Sequence, residues 1–158
     1  MTVRRATAED AAALEALIAA MNREQHDPDD RLPASRIERD LIGQDGSIVL
    51  VAEAANRSLA GYVTAHRTYE TAHAEHGLYV GDLYVAPGHR RQGVARALLA
   101  ALARHGHATG ARHLWLTAKP GNTAAHAFYR RLGSRGETVI AFAIVEQDFR
   151  NLAAEAVP

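Results

Sequence analysis

The chain has 158 residues, with 18 Lys+Arg against 18 Asp+Glu, so its formal net charge is zero with histidine neutral. That balance supplies no field for a polyanion such as nucleic acid, and the absence of cysteine excludes disulfides, thiolate metal sites and a cysteine nucleophile. A hydrophobic share of 47% over this length suits one globular domain spanning residues 1–158, and the lack of an 18-residue apolar stretch or a signal-like start predicts a cytoplasmic protein with no membrane partner.

Residues 2–6 alternate weakly and read as an edge strand. Thr7 can cap a helix over about residues 9–23, with Leu14, Leu17, Ile18 and Met21 on one face. Residues 25–33 (QHDPDDRLP) form a polar loop, whose Asp27, Asp29 and Asp30 are either a solvated turn or an acidic lip for a cationic amine. A short second helix over 34–42 closes at Gly43. Strands follow at 47–55 and 59–67, joined by the turn at 56–58, and a polar connection at 69–76 leads to a central strand over 77–85. A helix over 94–109 precedes a strand at 112–117, which is parallel because a helical crossover separates it from its neighbour. Residues 122–132 form a helix with Ala125, Phe128, Tyr129 and Leu132 on one apolar face, Asn122 as N-cap and Gly133 as stop. A last strand is expected at 139–146. Its VIAFAIV run is apolar on both faces, so the face turned from the core needs either a helix or a partner chain, and a homodimer is expected from it.

The most informative run is residues 83–100, LYVAPGHRRQGVARALLA. An apolar strand enters a Pro-Gly turn, and a helix opens after Gly93. Glycine at 93 and the small Ala95 let backbone N–H groups from about Arg91 through Gln92, Gly93 and Val94 to Ala95 crowd a ligand. The first-turn N–H groups lack intrahelical partners and carry the positive end of the helix dipole. Arg90 and Arg91 add formal charge, so the turn reads as a pyrophosphate receptor; the alternative is an ordinary strand, loop and amphipathic helix. Neither a P-loop Gly-Lys-Ser/Thr nor a three-glycine dinucleotide fingerprint is present.

Arg90-x-x-Gly93-x-Ala95 after Asp82-Leu83-Tyr84-Val85 resembles motif A of the GCN5-related N-acetyltransferases (GNATs). Asn122…Ala125…Phe128-Tyr129-x-x-Leu132-Gly133 resembles their motif B. With the strands between, the resemblance covers roughly residues 47–145 and thins toward the N-terminus. It implies an α/β (α+β) fold: a mixed central sheet of about six to seven strands with helices on both faces. It also implies acetyl-CoA as donor, and a small-molecule, peptide or protein amine as acceptor that attacks directly in a ternary complex. Main-chain groups of Leu83, Tyr84 and Val85 would hold the pantetheine arm as an added strand, and the turn from Arg90 to Ala95 would hold the pyrophosphate. A backbone N–H near Val85 would polarise the acyl carbonyl. Tyr129 would protonate the leaving thiolate, or else only pack its ring; Asn122 would contact the pantetheine or acceptor side, or only cap its helix.

Three departures from the motifs stand out, of which Ala95 in place of the second motif A glycine is mild. Many relatives carry an acidic pair before the Leu-Tyr-Val; here Gly81-Asp82 leaves one carboxylate. Asp82 is the candidate general base, directly or through water, with a structural carboxylate as the alternative and Glu53, Glu70, His73, His76 and Tyr79 as other candidates. By alternation Asp82 faces with Val80 and Tyr84, unless a bulge at Gly81 re-aims it. Ser134 stands where an aromatic usually follows the Leu-Gly. Nine histidines, with His73/His76 and His105/His107 closely spaced, do not complete a zinc set, so no metal is expected. The implied function is acetyl-CoA-dependent N-acetylation; the alternative is a catalytically weak acyl-CoA sensor or scaffold of the same fold.

Overall fold

The computed structural model describes residues 1–156. These fall into two compact units, Met1–Thr117 and the residues from Ala118 onward.

In the first unit, strands β1 (Thr2–Arg5), β2 (Ser47–Glu53), β3 (Leu59–Glu70), β4 (Glu75–Val85) and β5 (His113–Leu116) form one sheet in the order β1-β2-β3-β4-β5. The first four pair antiparallel, and β5 lies parallel to β4 after a helical crossover, as the sequence predicts. The expected polar connection at 69–76 shrinks to four residues, because β3 and β4 keep pairing as far as Glu70 and Glu75.

Both sheet faces carry helices. Helix α1 (Ala11–Gln25) lays Leu14, Ile18 and Met21 on Val49, Val51, Tyr62 and Tyr84. Its start is fixed by Thr7, whose main-chain N–H donates to Asp10 Oδ2 at 2.8 Å, and by Arg4, which donates to both Asp10 oxygens at 2.7 and 2.8 Å while reaching Glu53. Helix α2 (Ala34–Arg36) runs on as a π-helical turn, Ile37–Ile42, whose Gly43 N–H donates to the Glu38 carbonyl at 2.8 Å. On the opposite face α3 (Val94–Ala108) buries Val94, Leu98, Leu99 and Leu102. The approach is close: a Cβ on Gly106 would stand 2.9 Å from Leu78 Cδ1.

The second unit holds α4 (Thr123–Arg131) and α5 (Glu146–Ala154). The strand expected over 139–146 is not formed. Residues 134–145 have no regular structure, and Glu146 opens a helix instead. Among the described residues five strands stand where six to seven were expected. A strand exists only through its ladder, and the 139–145 run has no ladder partner among the described residues. Glu146 and Asp148 in the first turn of α5 favour helix just beyond it.

Candidate active site

The site begins where β4 and β5 part. Their pairing covers Gly77–Val80 against His113–Leu116 and goes no further, so residues 81–85 keep β3 on one edge and, among the described residues, no strand on the other. Which main-chain groups face the open edge follows from the bonds made to β3. Ala86 N–H donates to the Ala60 carbonyl at 2.9 Å, and Asp82 N–H donates to Thr64 Oγ1 at 2.9 Å. Residues 82, 84 and 86 therefore turn inward, and Leu83 and Val85 turn their N–H and C=O outward. The expected trio divides accordingly: Tyr84 uses its main chain in the ladder opposite Tyr62.

Plain alternation, which would set Asp82 on one face with Val80, gives way here to a bulge at Gly81. Ala65 pairs with Val80 and Thr64 with Asp82, leaving Gly81 as the extra residue. Asp82 then shares a face with Thr64, Tyr62 and Tyr84, and Val80 shares the other with Ala65. Asp82 is half-buried, and burial pushes its carboxyl above the usual carboxylate range, partly offset by the Thr64 hydroxyl and by His66. Of the other base candidates, Glu53 is tied to Arg4, and Glu70 pairs with His73 at 3.1 Å on the exposed hairpin. The ring of Tyr79 lies against Trp115.

Past Val85, the short turn Pro87–His89 leads to Gly93, which caps α3 at φ +81. Arg91 is also left-handed, at φ +61. Ala97 N–H donates to the Gly93 carbonyl at 3.0 Å, so the N–H groups of Val94, Ala95 and Arg96 precede the first helical bond. Nothing lies within 4 Å of a Cβ built on Gly93. Gln92 folds back to donate to the Gly88 carbonyl at 3.0 Å. The start of this fifteen-residue helix, with consecutive orphan donors beside the exposed Gly93, fits a phosphate group.

Arg90 is engaged elsewhere. Its Nη2 donates to Glu24 Oε1 and Oε2 at 2.6 and 2.8 Å, its Nε donates to the Val85 carbonyl at 2.9 Å, and its guanidinium lies 5.5 Å over the Tyr84 ring. Tyr84 hydroxyl also donates to Glu24 Oε1, at 2.9 Å. Burial opposes it, but Arg90 and Tyr84 hold the Glu24 carboxyl below its ordinary value. Sequence reasoning missed Glu24 and Thr64. Glu24 lies 66 positions from Arg90, and no local pattern links the two.

In the second unit, Asn122 caps α4: its Oδ1 accepts from Ala125 N–H at 3.1 Å. The Tyr129 ring packs against Phe128 with centroids 5.2 Å apart, and burial raises its hydroxyl above the usual phenol value. The group therefore stays protonated at neutral pH.

An open strand edge that runs into a glycine-capped helix start can receive an extended ligand arm and the phosphate at its end. The chain belongs to the acetyltransferase (GNAT) family, whose profile matches residues 12–134. It is 37% identical over 92 residues to the streptothricin acetyltransferase of Streptomyces lavendulae, a match spanning 58% of this chain and 47% of that protein. The chain thus spans under half the length of that relative. Among solved structures, an aminoglycoside acetyltransferase from an uncultured soil metagenomic sample superposes with a TM-score of 0.76 at 27% identity, covering 92% of this chain and 98% of that one. A probable acetyltransferase superposes with a TM-score of 0.81 at 20% identity, over 93% of this chain and 100% of that one, and shares the fold.

Proposed function

We propose that this protein transfers an acetyl group from acetyl-CoA to a primary amine of a small cationic molecule, by direct attack in a ternary complex. The observation that carries this reading is the unpaired edge of β4 over residues 81–85, which leads directly to the orphan N–H groups of α3. Acetyl-CoA, when bound, supplies an acyl group on a good thiol leaving group. Leu83 and Val85 offer main-chain donors and acceptors to the extended arm, although the Val85 carbonyl already receives Arg90. Val94, Ala95 and Arg96 offer N–H groups to the pyrophosphate, with Arg91 as the nearby charge. A main-chain N–H on the outward side of β4 polarises the acyl carbonyl. Asp82 accepts the proton that the attacking amine loses, and its raised pKa brings it nearer to working pH. Tyr129 donates its hydroxyl proton to the departing sulfur, and Asn122 presents its amide NH2 to the ligand while its oxygen caps α4.

The choice of a small cationic acceptor draws on the relatives, which are named for streptothricin and for aminoglycosides. A peptide or protein amine is the other acceptor class. The test is thiol release from acetyl-CoA over a panel of amines headed by streptothricin and sisomicin. CoA appearing in step with an acetylated amine supports the reading. Tight acetyl-CoA binding with no amine-dependent release overturns it in favour of an acyl-CoA sensor.

A further inference from the structure

We propose that Thr64 is the positioning residue for Asp82: a single buried hydroxyl on β3 clasps the carboxylate from two sides and aims it. The inference rests on the reading of Asp82 as the base. At a regular ladder position the Asp82 N–H would meet a main-chain carbonyl of β3. At the Gly81 bulge it meets Thr64 Oγ1 instead, at 2.9 Å. The same hydroxyl donates back to Asp82 Oδ2 at 3.1 Å. One side chain thus fixes the main chain and the carboxylate of one residue together, and Oδ1 stays outside the clasp to take a proton.

Three details make the clasp specific. Thr64 is 3% exposed, so water does not compete for its hydroxyl. A Cβ on residue 81 would stand 3.0 Å from Thr64 Oγ1, so glycine at the bulge leaves the hydroxyl its room. The bulge sets Asp82 apart from Val80: Asp82 stays on the face of Thr64 and Tyr84, and Val80 turns to the other. The charged or titratable neighbours of Asp82 are Tyr62 and His66 on β3, with Tyr84 further along β4 and Glu24 reaching that hydroxyl from α1. None of them bonds the Asp82 carboxylate, which leaves Thr64 as its hydrogen-bond donor.

The test compares Thr64→Val, Thr64→Ser and Asp82→Asn in the intact protein. Asp82 titration is followed by carboxyl carbon NMR, and the pH profile of amine-dependent thiol release uses the best acceptor of the panel. Valine keeps the shape of threonine but removes a hydrogen bond that favours the charged carboxylate, so the Asp82 midpoint moves upward. The acidic limb of kcat/KM follows it, and kcat at neutral pH falls about ten-fold while KM for acetyl-CoA holds. Thr64→Ser restores the midpoint, the limb and the rate. An unmoved Asp82 midpoint in folded Thr64→Val overturns the proposal. So does an unmoved acidic limb when Asp82→Asn abolishes that limb. An acidic limb that survives in Asp82→Asn instead sinks the base assignment, and the positioning role falls with it.

Discussion

Tyr129 is the residue at which binding and chemistry should separate. Its hydroxyl is held protonated by burial, and its ring packs on Phe128, so Tyr129→Phe removes a proton and preserves the packing. Acetyl-CoA affinity by calorimetry should hold while kcat falls about 100-fold, the lower range for a lost general acid. Equal losses in affinity and turnover would make Tyr129 a positioning residue. Asp10 makes the contrasting case of a carboxylate that serves folding. It is 7% exposed and bonded twice by Arg4 and once by the Thr7 N–H. Asp10→Asn should cost about 2 kcal/mol, since it removes one of the two carboxylates that Arg4 pairs with and weakens the start of α1. Arg4 holds the Asp10 carboxyl below its ordinary value. The unfolded state therefore binds the proton first as pH drops. The pair's contribution is complete above the ordinary carboxylate pKa, about 4, and fades as pH falls through the lower folded-state value. Urea midpoints of the two proteins should differ at pH 7 and converge in acid; a constant gap would count against the ion pair.

The β4–turn–α3 element makes the strongest claim on the donor. Gly93 sits at φ +81 with open space where a Cβ would stand, so a side chain there meets strain and, on the proposed reading, the phosphate rather than protein. Gly93→Val should fold with a loss of about 1–3 kcal/mol and bind CoA at least ten-fold more weakly. Unchanged affinity in the folded variant would remove the phosphate assignment. The two arginines should also differ. Arg90 is spent on Glu24 and the Val85 carbonyl, so Arg91→Ala should weaken CoA binding more than Arg90→Ala in parallel titrations. Equal effects would mean that Arg90 leaves Glu24 when the ligand binds.

At this scale the sequence was readable where structure is local. The caps at Thr7 and Asn122, the α1 face and the parallel return of β5 follow from short patterns; the bulge at Gly81 is one of two readings that the pattern permits, and the β3 register decides it. Glu24 was not readable, because its bonds join segments 60 and 66 positions apart. Thr64 was hidden for a related reason: β3 alternation gives its face, but only the register at the bulge gives its partner. The missing last strand marks the other limit. Its apolar run satisfies a strand pattern, yet no residue in that run specifies what it pairs with.

For the whole molecule, that run has the largest consequence. Val139, Ile140, Phe142, Ile144 and Val145 are exposed, with Phe142 at 89% and Ile140 at 78%, and Phe149 and Leu152 on α5 add to them. Water does not favour so dense a series, and each large side chain covered gains about 1.5–3 kcal/mol. We propose that a second copy covers it, so the protein is a homodimer; a crossing of the membrane is no alternative for the helices, since among the described residues none is long and apolar enough. Contact of this patch with the same patch on a second copy closes at two. Light scattering at micromolar concentration should give about twice the 17.1 kDa chain mass. Phe142→Glu should return the mass to 17.1 kDa without loss of fold, because the side chain it replaces is already exposed to water. A wild-type mass of one chain would end the proposal. A dimer that ignores Phe142→Glu would move the interface elsewhere.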